Sequence, residues 1–325
     1  MKIFLKILKW TTIVLLLIIC VFFAFVFSQQ SKVYDAPYPN ITAVKDSLVL
    51  ERGKYLIYGP AHCSGCHSPL ENLEAITAGE HAPLEGGLLF DLPIAKIYTP
   101  NITSDETTGI GKHTDQQIAR ALRYGVGHDG KALFDFMPFH NLSDDDLQAI
   151  ISYLRTMQPV RKEIPKNEYT LLGKIVYAMA IRPVGPEAGV PVEKSVIRDS
   201  TAKYGQYLAN YVANCRGCHS NRDLQTGAYI GEYYAGGFAM PSMIQPGKAV
   251  VSPNLTTDPK TGKIANWTEQ KFIERIRQGK IVPLSEMPWS QFQQMSDSDL
   301  KAIYAYLKTL DPVHNEVNQV VIDMK

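Results

Sequence analysis

The sequence predicts an all-α protein in which an N-terminal transmembrane helix precedes two tandem helical domains. Three observations predict this class: a long apolar run near the N-terminus, an internal repeat, and apolar residues at helical spacing at the end of each repeat. No alternation of apolar and polar residues is long enough to indicate a sheet. The predicted parts are a membrane anchor at 1–28, domain 1 at 45–160, a linker at 161–198, domain 2 at 199–313 and a C-terminal tail at 314–325.

The N-terminal segment has the composition of a membrane-spanning helix. Between Trp10 and Phe27 only two threonines are polar, and about 18 apolar residues can just span a bilayer core of about 30 Å. Three lysines precede the run, which favours an orientation that places residues 29–325 outside the cytoplasm. The alternative is a signal peptide cleaved after Ser28. Both interpretations predict that the two domains are extracytoplasmic.

One five-residue motif occurs twice, as Cys-Ser-Gly-Cys-His at 63–67 and as Cys-Arg-Gly-Cys-His at 215–219. A Cys-x-x-Cys pair alone is also found in redox dithiols and in half of a zinc site, but a following histidine is typical of c-type haem attachment. The motif therefore predicts two covalent haem c groups. The residues predicted to bind them are Cys63, Cys66 and His67 in domain 1, and Cys215, Cys218 and His219 in domain 2.

The internal repeat aligns residues 47–160 with 199–313, and each copy ends in the clearest predicted helix. That helix begins at Ser143 in the first copy and at Ser296 in the second, with acidic residues in the first turn, where they suit the helix dipole. Apolar residues then recur at helical spacing: Leu147, Ile150, Ile151, Leu154 and Met157 in one copy, and Leu300, Ile303, Tyr304, Leu307 and Leu310 in the other.

Other matched residues predict further elements in each repeat. A middle helix begins at Thr114 or Thr268, and a glycine in the first helix (Gly53, Gly205) permits a close approach to the last helix. Two pairs of residues keep two interpretations each. Asn101 and Asn254 hold a loop near a haem, or form structural Asx turns; Arg123 and Arg277 pair with haem propionates, or lie at solvated helix ends.

The sixth iron ligand is predicted from the repeat. Thioether sulfur binds haem iron, and Met/His ligation raises the potential into an electron-transfer range. Met137 and Met287 occupy matching places just before the last helix, and each is followed by proline, which favours an extended conformation for the methionine. They are predicted to ligate the two irons together with His67 and His219. Met157 and Met295 are predicted to be core residues, and the rival histidines are His81, His113, His128 and His140.

The remaining segments suggest little chemistry. The fifth cysteine, Cys20, lies inside the apolar run, and the net charge of +1 is no footprint for nucleic acid. In the linker, a short apolar piece from Leu171 to Ile181 is too short for a second span. It is predicted to form a short helix packed on a domain surface or between the domains.

The order of these motifs resembles that of a known family. Cys-x-x-Cys-His, then Thr/Ser-Pro-Asn-Ile/Leu-Thr, then Met-Pro, then Ser-Asp-x-Asp-Leu-x-Ala-Ile-x-x-Tyr-Leu runs through residues 45–313. This order resembles bacterial dihaem cytochromes c and is similar to the cytochrome c subunits of alcohol and gluconate dehydrogenases. The resemblance implies a class I cytochrome c fold in each domain. Those dehydrogenase subunits commonly carry three haems, whereas this chain has two motifs.

The predicted function is therefore electron transfer rather than catalysis, in a protein of the bacterial inner membrane with both haem domains in the periplasm. The implied donor is a dehydrogenase or a quinol-oxidising protein, and the implied acceptor is an oxidase or a soluble cytochrome. An alternative is a dihaem enzyme of the peroxidase or thiosulfate-oxidising type, which needs an open or unusually ligated iron. A haem-based sensor is a third class. A methionine ligand in both domains disfavours the enzyme, because both irons are then closed.

Overall fold

Helices dominate the chain, which a computed structural model describes over residues 1–223 and 227–324. The helices are α1 (Lys2–Gln29), α2 (Ser47–Tyr58), α3 (Cys63–His67), α4 (Leu73–Thr77), α5 (Asp115–Tyr124), α6 (Asp144–Thr156), α7 (Leu171–Ala180), α8 (Ala202–Tyr207), α9 (Cys215–His219), α10 (Glu269–Arg277), α11 (Trp289–Phe292) and α12 (Asp297–Leu307). A 3₁₀ turn spans Leu70–Asn72, and α8 continues into a π-helical turn at Leu208–Val212. The strands are β1 (Leu89–Leu92), β2 (Ala95–Tyr98), β3 (Glu168–Tyr169), β4 (Ala239–Pro241), β5 (Lys248–Val251) and β6 (Val321–Asp323).

The helix α1 includes the whole predicted span. Within the described residues, it is the one helix long and apolar enough to cross a membrane. Its side chains are almost all exposed, and Val26 near its C-terminal end is its one buried residue. A long, apolar helix that contributes so little to the protein core is typical of a membrane segment or a signal sequence.

Each domain is built on a crossing of its first and last long helices, α2 with α6 and α8 with α12. A Cβ atom on Gly53 would lie 2.0 Å from the Ala149 carbonyl oxygen, and one on Gly205 would lie 1.8 Å from that of Ala302. Both distances are far below contact distance, so only glycine fits at either crossing. The predicted role of the two glycines is confirmed.

The predicted capping residues also begin the helices. The Ser143 side chain accepts a hydrogen bond from the backbone N–H of Asp146, and the Ser296 side chain accepts one from Asp299. Thr114 and Thr268 cap α5 and α10 in the same way. Each cap satisfies a backbone N–H that has no partner inside its helix.

Two small antiparallel sheets modify the predicted all-α class, with 39% of the residues helical and 8% in strands. Each has three strands, in the orders β1-β2-β3 and β4-β5-β6. The strands are two to four residues long, too short for an alternating pattern to show in the sequence. The third strand of each sheet comes from the segment after the last helix of its domain. β6 therefore lies in the predicted C-terminal tail and joins it to the second sheet.

The two domains share one hydrophobic core. Leu56 and Ile150 of the first domain belong to the same buried cluster as Leu208 and Ile303 of the second. Polar contacts also cross the interface. Arg52 forms a buried ion pair with Asp146, with its Nε 2.8 Å from Oδ1, and donates a hydrogen bond across the interface to the Tyr204 hydroxyl at 3.2 Å.

The linker is ordered along the surface of the first domain. As predicted, its apolar piece forms a short helix, α7, which packs against the C-terminal part of α1 and beside β3. Farther along, the linker carbonyls of Glu193 and Lys194 accept hydrogen bonds from the first two backbone N–H groups of α6. The linker therefore covers the start of a helix that faces the second domain.

Candidate haem sites

Each Cys-x-x-Cys-His motif forms a one-turn helix, α3 or α9, that begins after an unusual backbone conformation. His62 has φ 43° and ψ 31°, and Asn214 has φ 50° and ψ 37°. Residues other than glycine rarely adopt this left-handed conformation, which costs about 1–3 kcal/mol and is often found at functional sites. The same turn at both motifs brings the chain into each helix from the same direction.

The ring of each motif histidine is oriented by a backbone carbonyl. Nδ1 of His67 lies 2.9 Å from the Pro100 carbonyl oxygen, and Nδ1 of His219 lies 3.1 Å from that of Pro253. A carbonyl oxygen can only accept a hydrogen bond, so Nδ1 carries the proton in both rings. This tautomer leaves the lone pair of Nε2 available to a metal, and a hydrogen bond at the other nitrogen is typical of a metal-binding histidine.

The asparagine after each proline holds that carbonyl in place. Asn101 donates to the Val160 carbonyl at 2.8 Å, and its Oδ1 accepts from the backbone N–H and the hydroxyl of Thr103. Asn254 makes the matching bonds to Val313 and Thr256. Protein groups thus hydrogen-bond with both the amide nitrogen and the carbonyl oxygen of each asparagine side chain. The structural Asx turn is confirmed, and it lies directly behind the histidine; the placement of this loop near a haem stays a prediction.

One glycine in each domain fixes the other side of the motif helix. Gly86 donates its backbone N–H to the His67 carbonyl, and Gly236 donates to the His219 carbonyl, both at 2.7 Å. Their φ angles are +70° and +73°, and a Cβ on either would lie 2.5 Å from the backbone of the proline that orients the histidine. The loop therefore closes tightly around each histidine because glycine is present.

Burial keeps the motif side chains uncharged. It lowers the pKa of His67 and His219, so both imidazoles are neutral, as metal ligands must be. It raises the pKa of Cys63 and of Cys215 to about 12 in each case. A reactive redox dithiol has a lowered thiol pKa, so these pairs lack the electrostatics of that alternative.

The two predicted methionine ligands lie in matching loops. The carbonyl of Met137 accepts a hydrogen bond from the N–H of Phe139 at 2.8 Å, and that of Met287 accepts one from Trp289 at 2.7 Å. The intervening Pro288 has φ −75° and ψ 65°, the values of an inverse γ-turn. Both half-buried methionines pack against the shared core, as do Cys63 and Cys215.

The rival histidines of domain 1 have other partners. The two ring nitrogens of His140 lie 3.2 Å from the Arg123 carbonyl and 2.9 Å from Asp135 Oδ1. His113 and His128 stack on each other with ring centres 4.1 Å apart, and His81 packs edge-on against Tyr58. Of the methionines predicted for the core, Met295 is buried and Met157 packs against the core from its edge.

The two matched arginines bind the start of the last helix in their own domain. Arg123 is buried and lies 2.9 Å from Oδ1 of Asp144, while Arg277 lies 2.6 Å from Oδ1 of Asp297. Arg277 also donates to the backbone carbonyls of Gln293 and Met295. These bonds connect the middle helix to the last one, which neither of the two interpretations anticipated.

Comparison with known families agrees with this geometry. Residues 50–158 match the family model for cytochrome c, and residues 202–307 match the model for subunit III of cbb3-type cytochrome c oxidase. The chain contains two cytochrome c domains. Each of them encloses one of the motif helices, so the chain carries two covalently bound haem c groups.

Several relatives of these cytochrome domains are subunits of dehydrogenases. The chain is 29% identical to the fructose dehydrogenase cytochrome subunit of Gluconobacter japonicus over 85% of its length, and 29% identical to the cytochrome c subunit of the quinone-dependent alcohol dehydrogenase of Gluconobacter oxydans over 82%. It spans 55% and 56% of these two relatives. A dihaem cytochrome c of Cereibacter sphaeroides is 23% identical over 79% of this chain and 84% of that protein.

The cytochrome domains fit the haem groups in three respects. The two thiols of each motif and its histidine share one helical turn, the histidine is neutral with Nε2 available, and the surroundings are buried. Sequence reasoning missed Gly86 and Gly236, and it missed the left-handed residues before each motif. The glycines were visible as another match between the repeats, whereas His62 and Asn214 share no residue type that could have revealed them.

Proposed function

We propose that this protein carries electrons through two c-type haems, each held by its own domain. Cys63 and Cys66 attach the first haem and Cys215 and Cys218 the second, through thioether bonds. The axial ligands are His67 and Met137 in domain 1, and His219 and Met287 in domain 2. The domains extend over residues 45–160 and 199–313.

What supports this proposal is that each domain contains both an oriented histidine and a Met-Pro turn. Each histidine donates its Nδ1 proton to a proline carbonyl, so Nε2 would be the nitrogen that binds the iron. Histidine and methionine together fill both axial positions of an iron, which favours outer-sphere electron transfer and disfavours binding of peroxide or another small substrate. When bound, each haem supplies a one-electron redox couple.

The chain's own residues hold the two sites close together. The motif helix α3 of domain 1 contacts α11 of domain 2, which directly follows Met287: Gln291 Nε2 donates to the Ser64 hydroxyl at 3.3 Å. On the other side, Arg216 in the second motif pairs with Glu187 of the linker at 2.8 Å, and the Glu187 N–H binds Asn141 just after the Met137 turn. Both contacts join a motif of one domain to the methionine segment of the other, which supports internal electron exchange.

The proposed partners follow from the relatives. Two of the relatives named above are cytochrome subunits of dehydrogenases, so we propose a dehydrogenase or a quinol-oxidising protein as donor, and an oxidase or a soluble cytochrome as acceptor. We propose that α1 is retained and anchors the protein in the inner membrane, with both domains in the periplasm. A native N-terminus at Gln29, measured by mass spectrometry, would instead show that the segment is a cleaved signal.

Carbon monoxide distinguishes a carrier from an enzyme. If both irons have methionine ligands, the reduced protein binds carbon monoxide slowly and incompletely, because the gas must displace a ligand. The oxidised protein also shows the far-red absorption of a sulfur–iron bond. Rapid, stoichiometric binding by the unmodified protein, or peroxide turnover at an enzymatic rate, would favour an open catalytic haem and contradict the carrier function.

A further inference from the structure

The short linker helix α7 lies at the level where the apolar run of α1 ends. Gln30, just after α1, donates a side-chain hydrogen bond to the Lys174 carbonyl at 3.0 Å. The Lys174 ammonium lies 5.4 Å from the ring centre of Phe27, the last residue of the apolar run. Val26, the one buried residue of α1, belongs to the same end of the helix. If α1 spans a bilayer, these contacts place α7 at its outer surface.

One face of α7 packs against domain 1. A Cβ on Gly173 would lie 2.0 Å from the Ile94 carbonyl oxygen, so this turn of the helix sits directly on the β1–β2 hairpin. Four residues later, the Tyr177 hydroxyl donates to the Ala132 carbonyl at 3.0 Å, and Ala178 is buried beside it. These residues fix the rotation of α7 about its own axis.

The remaining face of α7 is apolar and exposed. Leu172 is 59% exposed and Met179 is 57% exposed, and residues seven apart lie on the same side of a helix. Leu171 extends this face at its N-terminal end with 53% exposure. Lys174, two residues from Leu172, lies on the opposite side of the helix, where its ammonium contacts the Phe27 ring of α1. Arg182, just beyond the helix, donates to the carbonyls of Ala178 and Met179.

We propose that this face, formed by Leu171, Leu172 and Met179, lies in the outer leaflet of the membrane. The inference rests on the proposed membrane anchor and extends it. Helices with an apolar face and basic residues on the opposite, polar face enter the boundary between headgroups and acyl chains by about 5–10 Å. The occupant is lipid, because the contacts with Gln30 and Phe27 hold α7 against the end of a span that is itself surrounded by lipid. Two attachments, one spanning the bilayer and one at its outer surface, fix the orientation of the cytochrome domains relative to the bilayer.

Spin labels on the full-length, haem-loaded protein in phosphatidylethanolamine–phosphatidylglycerol vesicles test this. Cys20 is the one cysteine outside the motifs and is exposed, so a nitroxide on it reports on α1. In a Cys20→Ala background, Leu172→Cys and Met179→Cys report on α7, and Ile197→Cys, 83% exposed in the linker among charged residues, is the matched control. Collision with oxygen marks lipid, and collision with a water-soluble nickel chelate marks water. Covalent attachment of both haems in each variant shows that it has folded.

The expected result is high oxygen and low nickel accessibility at positions 20, 172 and 179, with the reverse at 197. Nickel accessibility at 172 and 179 equal to that at 197, with position 20 still in lipid, would overturn the proposal for α7 and leave the anchor standing. Shielding of 172 and 179 from both reagents would also overturn it, because a protein then covers the face. Nickel accessibility at position 20 would overturn the anchor and the proposal together.

Discussion

The hydroxyl of Tyr55 in the first domain lies 2.7 Å from Oδ2 of Asp299 in the second. The reverse contact is also present: the hydroxyl of Tyr207 lies 2.8 Å from Oδ2 of Asp146. The two tyrosines occupy the same position of the repeat, as do the two aspartates. Each tyrosine also accepts a hydrogen bond from the backbone N–H of the serine that caps the opposite helix. The domains therefore bind each other through one reciprocal contact made twice.

Tyr55→Phe and Tyr207→Phe test the strength of this contact. Each change leaves a backbone N–H at the interface without a partner, and Tyr55→Phe also removes the hydrogen bond to the Asp299 carboxylate, whereas Asp146 keeps Arg52 when Tyr207 is changed. The loss of such a partner costs about 1–3 kcal/mol in the free energy of unfolding. Denaturant unfolding, followed by haem absorption, measures it. Tyr98→Phe, at a half-exposed position on the β1–β2 hairpin, is the control. Equal stability of all three variants would mean that the two tyrosine hydroxyls do not stabilise the association of the domains.

The pH dependence of stability should report on Asp299. Burial raises the pKa of its carboxyl, although the hydrogen bond from Tyr55 and the Arg52 guanidinium oppose the rise. The folded state thus favours the protonated form, and this contribution to stability is complete below the unfolded pKa and is lost as the pH rises through the folded pKa. The unfolding free energy of the native protein minus that of Asp299→Asn should therefore decrease with rising pH above about 4, the ordinary aspartate range.

Asp297→Asn is the matched control for that measurement, because Asp297 lies in the same helical turn but is mostly exposed. Its difference from the native protein serves as the baseline for removing a carboxyl group from this turn. If the Asp299 difference instead increased with pH, the ionised carboxylate would be the stabilised form, and the Tyr55 hydrogen bond together with the charge of Arg52 would outweigh burial.

Gly53→Ala and Gly205→Ala should each separate a helix crossing. The added methyl group would overlap a backbone carbonyl, which cannot move aside as a side chain can. We expect a loss of about 1–3 kcal/mol or more in the free energy of unfolding, the usual range for overpacking. Glu51→Ala on the exposed side of α2 is the control. An alanine at either glycine that left thermal stability unchanged would contradict the close approach.

Met137→Ala and Met287→Ala should each open one iron. Each variant should lose about half of the far-red absorption, bind carbon monoxide at one haem and show a lower potential at that haem, because the thioether that favours ferrous iron is gone. Met295→Ala, in the core, should keep the spectrum and lose about 2–5 kcal/mol of stability. An unchanged spectrum in Met137→Ala would require another ligand for the first iron.

Cys63→Ala and Cys215→Ala should each impair the covalent attachment of one haem and leave the other intact, because each motif belongs to its own domain. Mass spectrometry of the denatured protein counts the haems that remain linked by thioethers. Cys20→Ala, in α1, should retain both. Complete attachment of both haems in Cys63→Ala would disprove the assignment of that cysteine.

Local patterns predicted the parts of this protein that depend on nearby residues. The caps at Ser143 and Ser296, the helical spacing that follows, and the span in α1 each depend on residues within a few turns. The repeat added one long-range relationship, the glycine crossings, because the same residue type returned at the same place. The haem motifs were recognisable because all their chemistry lies within five residues.

The features that the sequence did not reveal depend on contacts between distant segments. The strands β3 and β6 exist only because the chain returns to pair with an earlier hairpin, and two or three residues carry no pattern. The partners of Arg123 and Arg277 were missed for the same reason, since the acids that bind them lie about 20 residues away, on another helix. Nothing in the sequence indicated that Tyr55 and Tyr207 face the opposite domain rather than their own.

Contacts exchanged between equivalent residues are the arrangement of a twofold homodimer. Here the linker joins the two halves, so their association does not depend on concentration and survives dilution. Because both halves belong to one chain, their sequences can also differ from each other. Arg52 already departs from symmetry: its counterpart is Tyr204, and the two lie side by side at the interface. A joined pair can thus acquire two unlike redox centres from one ancestral surface, which a dimer of identical chains cannot do.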